Sequence, residues 1–200
     1  EGQTTIPTGL GNVVGIAAGF RSSLALKSDG TVVAWGRNTE GQTAVPAGLS
    51  DLVEISLSPN GTHALARKGD GSVVGWGNSL LGRTAVPAGL TGVSGIAAGP
   101  DHSLALKTDG SLVTWGANGS GQLSVPTLSV LPQTLVSNYQ TLLLLRDGTI
   151  ATCGLNDYGQ AQAPAGVTSV LAISAGRYHS LVLRDRSGDI APVIGGAPEA

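Results

Sequence analysis

Three histidines, one cysteine and four Asp-Gly pairs are the residues of this sequence whose types could do chemistry. His63, His102 and His179 could ligate a metal or act as a base. They stand at equivalent points of a repeating pattern, where Ser22 and Gln140 fill the other two copies. Equivalent positions of stacked repeats spread apart instead of converging on one ion. Each imidazole is therefore expected to hydrogen-bond a neighbouring loop. Cys153 could be a nucleophile, but no His or acid accompanies it locally, and it stands where three other copies have Trp. An inert core thiol is expected. A single cysteine excludes an internal disulfide and a cysteine-rich metal site. The Asp-Gly pairs bring too few carboxylates together for calcium. Gly36-Arg37-Asn38 and its relatives are glycine-rich turns with no helix after them, so they lack the anion-binding device of a phosphate loop. No nucleophile elbow or Ser-His-Asp set is present. The expectation is a protein without enzymatic activity, cofactor or metal.

The elements that position these residues follow from composition. The chain has 200 residues, 41% of them apolar and 12% charged. That charged share is about half of the usual ~25%. The formal charge is −2, from 11 basic and 13 acidic residues. Without a basic stripe to neutralise phosphates, nucleic acid is not an expected partner. No apolar run reaches the ~18 residues of a membrane helix, so no membrane insertion is expected. The 31 glycines and 10 prolines interrupt every stretch that might form a long helix. An all-β chain of many short strands is predicted.

A repeat organises nearly all of it. Trp35-Gly36, Trp76-Gly77 and Trp115-Gly116 recur, and Cys153-Gly154 continues the series. Gly2-Gln3, Gly41-Gln42, Gly82-Arg83, Gly121-Gln122 and Gly159-Gln160 form a second marker, each followed by proline. Asp29-Gly30, Asp70-Gly71, Asp109-Gly110 and Asp147-Gly148 form a third, read as tight hairpin turns. In one unit, strands are placed at 13–18, 23–27 and 31–35, with a short fourth edge strand at 41–45 stopped by Pro46. Leu24 and Leu26 oppose Ala25, and Val33 and Trp35 oppose Val32 and Ala34, so both strand faces are apolar. Sheets sandwiched between sheets explain this. The predicted fold is a β-propeller of four-stranded antiparallel blades, with about 4.5 repeats of 38–41 residues. The units run over 2–40, 41–81, 82–120, 121–158 and 159–188. Residues 189–200 are a linker, the start of a further domain or a damaged third strand. The chain lacks Met and begins inside a repeat, so a fragment of a longer protein is expected.

The string from Ile96 to Lys107, with Asp109-Gly110 and Trp115-Gly116, resembles the repeat of the regulator of chromosome condensation family. The linker Gly41 to Leu49 is similar to the bacterial branch, which includes propeller-type β-lactamase inhibitors. The resemblance implies a ring of seven blades, of which this chain has fewer than five. An incomplete ring is expected, with Gly2 to Pro7 closing onto the last blade as the alternative. An open arc leaves two bare apolar faces, hence an expected tendency to self-associate. The resemblance also implies a protein-binding module in a secreted or cell-surface setting. One alternative is inhibition of an extracellular enzyme such as a β-lactamase. Pro59, Pro100 and Asn138 replace the aromatic contact residues of such inhibitors. Another is a guanine-nucleotide exchange scaffold for a small GTPase, disfavoured by the near-neutral charge.

Loops joining the first to the second strand, and leaving the third, are expected on one face of the propeller. The single Phe and all three Tyr fall in them. Phe20, Arg21, Arg37, Tyr139, Tyr158, Arg177 and Tyr178 are the expected contact residues for a protein or peptide partner.

Overall fold

The structure is a computed structural model that describes residues 2–185 and 194–195. Its described residues form five antiparallel three-stranded meanders. The first has β1 Val13–Ala18, β2 Ser22–Lys27 and β3 Val32–Gly36. The second has β4 Leu52–Leu57, β5 His63–Lys68 and β6 Val73–Gly77. The third has β7 Val93–Ala98, β8 His102–Lys107 and β9 Leu112–Gly116. The fourth has β10 Pro132–Ser137, β11 Gln140–Leu145 and β12 Ile150–Gly154. In the fifth, β13 Val170–Ala175 and β14 Ser180–Arg184 are followed by β15 Ile194–Gly195, whose backbone pairs with β14. β15 lies in the segment from 189 on; the rest of that segment is outside the described residues.

The chain divides into two compact units, Glu1–Ala117 and Asn118–Ala200. In the first, the alternation along β5 decides the packing. Ala64 and Ala66 face one cluster with Leu24, Leu26, Leu52 and Trp76. Leu65 faces the other, with Val73, Val93, Ile96, Ala105 and Trp115. A sheet buried on both faces is what stacked blades require, and a two-layer sandwich would leave one face wet. Burying a leucine fully contributes about 1.5–3 kcal/mol, and Leu24, Leu65 and Leu104 are all fully buried. In the second unit, Leu144, Val167 and Val170 close a smaller core with Ile150, Ile173 and Val182.

The fourth strand expected at 41–45 is replaced by turns. Gly41 sits at φ +78°, Ala44 N–H bonds the Gly41 carbonyl, and Thr43 N–H is taken by the Asn38 side chain. With those donors committed locally and none on Pro46, no ladder forms.

Two glycines are needed for close approach. Gly116 adopts φ +103°, and a Cβ there would stand 2.7 Å from the Asp101 carbonyl. A Cβ on Gly99 would meet the His102 ring at 2.3 Å. The first explains the glycine of the Trp-Gly marker. The second leaves no side-chain room just after β7 ends at Ala98.

Candidate functional site

A buried hydrogen-bond chain joins the second and third sheets. His63 Nε2 lies 3.0 Å from Ser103 Oγ, which donates to the Arg83 carbonyl at 2.7 Å. Trp115 Nε1 donates to the same carbonyl at 2.9 Å. Because the serine proton is committed, Nε2 of His63 must be the donor. The buried Nδ1 of the same ring has no partner. Burial, aided by repulsion from Arg83 and His102, pushes the His63 pKa down to about 3. Burial alone brings His102 to about 4. His63 therefore bonds the next sheet, at a strand residue and not at the loop expected, while His179 is exposed.

The chemistry recurs at the other markers. Gln3 O accepts Ser23 Oγ and Trp35 Nε1, at 3.1 and 2.8 Å, and Gln42 O accepts Trp76 Nε1 at 3.0 Å. At Gln122 O the indole is replaced by Cys153 Sγ at 3.6 Å. Burial pushes the Cys153 thiol up, away from the thiolate a nucleophile needs.

Sequence reasoning missed Arg83, the one copy with Arg where the other markers have Gln. It is 4% exposed and pairs with Asp101 at 2.9 Å. It also donates to the carbonyls of Leu80 and Pro100 and to Thr62 Oγ1. The signal was the substitution itself, since a cation at a buried repeat position needs a carboxylate nearby. Pro100 is fully buried, and its carbonyl also accepts Asn60 Nδ2.

At the hairpin end of the sheets, Asp29, Asp70, Asp109 and Asp147 each accept the N–H and hydroxyl of the residue two positions on. These bonds hold all four carboxyls below their ordinary range, with Lys27 the leading cause at Asp29. They are turn devices.

At the opposite end, one backbone bond recurs. Arg37 N–H bonds Arg21 O, Asn78 bonds Thr62 O, Ala117 bonds Asp101 O and Leu155 bonds Tyr139 O. The loop leaving the third strand is thereby held against the loop between the first two. In the first unit this unites Phe20, Arg21 and Arg37. Arg21 lies over the Phe20 ring at 5.0 Å, and Phe20 is 67% exposed. Arg37 Nε donates to Thr39 Oγ1. In the second unit it joins Tyr139 to the loop of Tyr158, and Arg177 and Tyr178, from the next sheet, lie against them. The Arg177 guanidinium is 5.5 Å from the Tyr139 ring and 5.0 Å from that of Tyr178. Tyr178 meets Tyr158 edge-on at 5.0 Å. Tyr158 N–H is fixed by Gln160 Oε1 at 2.9 Å.

Among the described residues no helix is long and apolar enough to cross a membrane. No curated protein matches the sequence. Among solved structures, Prp20p of Saccharomyces cerevisiae aligns at a TM-score of 0.64 and 17% identity, over 86% of this chain and 69% of that one. The structure of that protein is described together with its binding to Gsp1p and histones. The ectodomain of the Physcomitrella patens receptor kinase CR4 aligns at 0.76 and 20% identity, over 93% of this chain and 52% of that one. The CRINKLY WD40 ectodomain of the Arabidopsis thaliana receptor kinase ACR4 gives 0.70 and 19%, over 95% and 66%. These likenesses establish the fold. Residues 13–42 and 93–122 match the regulator of chromosome condensation (RCC1) repeat, and those segments span two of the meanders described above. The chain is thus an all-β, propeller-type protein, two segments of which match the RCC1 repeat.

Proposed function

We propose that this chain is a non-enzymatic protein-binding module whose contacts come from the loops that gather its aromatic residues. The observation that carries the reading is their placement. Phe20, Tyr139, Tyr158 and Tyr178, the only Phe and Tyr residues of the chain, all stand in loops at the non-hairpin end of their sheets. Phe20, Tyr158 and Tyr178 are exposed. Aromatic and Arg side chains on rigid loops are what interface anchors need, because little ordering is lost on binding. Prp20p and its described binding to Gsp1p and histones support a protein-binding use of such a fold. The near-neutral charge supports a partner other than nucleic acid. A secreted or cell-surface location belongs to the same reading and rests on the linker's resemblance to bacterial members.

The test is affinity capture from the culture fluid of the source organism. A partner held by the chain, lost with Phe20→Ala and Tyr178→Ala together and kept by Asp109→Asn, supports the reading. A partner lost only with Asp109→Asn places binding on the hairpin end and overturns it. An enzyme that is captured and loses activity identifies the chain as an inhibitor. A small GTPase that releases its nucleotide identifies an exchange scaffold.

A further inference from the structure

Within the second unit, Tyr139, Leu155, Asp157, Tyr158, Arg177 and Tyr178 line an open groove of about 240 Å³. Its central cation is Arg177. Arg83, Arg67 and Arg37 each face a carboxylate of this chain. Arg177, among the described residues, contacts only the two tyrosine rings. A guanidinium placed against aromatic rings keeps its donors in a rigid fork, and that fork matches a carboxylate with two parallel hydrogen bonds.

The groove is also preformed. Gln140 is fully buried, and its Nε2 donates to the carbonyls of Gly176 and His179 at 3.0 and 3.1 Å. The amide beside Tyr139 therefore grips the loop that carries Arg177 and Tyr178. Gly176 N–H closes that loop on the His179 carbonyl at 2.9 Å. The backbone of the loop that carries Arg177 and Tyr178 is thus held, which lowers the cost of ordering it on binding.

We propose that this groove seats an acidic side chain of a partner protein, its carboxylate on Arg177 and its neighbouring apolar residue on the tyrosines. The proposal rests on the protein-binding reading above and names its chemistry. Charge complementarity chooses the occupant, because an uncommitted cation walled by aromatic rings rejects a lysine and leaves its donors idle against an aliphatic group. Asp157, on the groove wall, opposes the anion and selects for a single acid over an acidic run.

The test pans a phage-displayed library of random peptides against the full chain and against Arg177→Ala. Peptides containing Asp or Glu should be enriched on the parent only. Synthesised with an amidated C-terminus and followed by fluorescence anisotropy, they should bind about tenfold more weakly to Arg177→Ala. Changing the peptide's own acid to its amide should cost a similar factor. Asp157→Asn should tighten binding, and Tyr178→Phe should leave it unchanged. Enriched peptides without an acid, or retained by Arg177→Ala, overturn the carboxylate assignment and leave the binding module standing. Loss of binding on amidation makes a chain terminus the ligand and also overturns it. A phosphoserine in place of the acid that binds more tightly replaces the carboxylate with a phosphate. If no peptide is enriched on the parent, both readings fall.

Discussion

At the junction of the second and third sheets, a neutral imidazole donates to Ser103, and an indole donates to the Arg83 carbonyl beside it. At the junction of the fourth and fifth sheets, the same repeat position holds Gln140. Its amide donates to two carbonyls and lies 3.3 Å from Ser180 Oγ. The Trp position of the fourth sheet is Cys153, half-buried, at 3.6 Å from Gln122 O. One fold thus closes its seams with two chemistries. The first seam buries a titratable imidazole, while the second buries an uncharged amide in its place. An amide satisfies more carbonyls per side chain but fills less space. The first seam should therefore be the more tightly packed at neutral pH and the more sensitive to acid.

The largest expected difference is in acid. Unfolded histidine takes up its proton near pH 6.5. Folded His63 does so near 3 and His102 near 4. Between those values the unfolded state binds more protons, so stability is full above about 6.5 and falls as pH is lowered. The slope should reach about 1.4 kcal/mol per pH unit for each histidine. Urea midpoints across pH 7 to 4.5 read it, and His63→Gln should flatten the slope. An unchanged slope would remove His63 as its source.

Next comes the ring itself. Trp115→Ala should cost about 3–5 kcal/mol, since Trp115 is buried and its indole bond is lost. Cys153→Ala, at the equivalent position, should cost about 1 kcal/mol or less. Equal losses in chemical denaturation would show that the two equivalent positions pack alike.

The rim should separate from the seams. Tyr178→Ala should weaken a captured partner about thirtyfold, near 2 kcal/mol, and leave the thermal midpoint almost unchanged. A fallen midpoint would make Tyr178 a packing residue. The smallest effect belongs to the hairpin end. Asp109→Asn removes a turn acceptor on the surface, so it should lower the midpoint slightly and leave binding intact.

Much of this was legible from spacing. The first strand was placed at 13–18 and is observed as Val13–Ala18, because apolar alternation and a terminal Gly bound it on both sides. The hairpins followed from Asp-Gly, whose positive φ only glycine takes easily. Both-sided burial of β5 followed from small and large apolar residues alternating on its two faces. The aromatic loops were legible as a group, because strand count places them at one end of each sheet. The fourth strand was misread, since a short apolar stretch before proline looks the same whether its donors go to a ladder or to a turn.

Local pattern, then, determined the repeat, the strands and which loops share an end, because each depends on neighbours within about forty residues. Tertiary structure alone decided that Arg83 is buried against Asp101, and that Gln140 clamps the loop of Arg177. It also decided that Arg177 faces rings while Arg37, Arg67 and Arg83 face acids. Those outcomes depend on which side chains from different repeats meet across a junction, and hydrogen-bond reach of about 3 Å is settled only once the sheets stack.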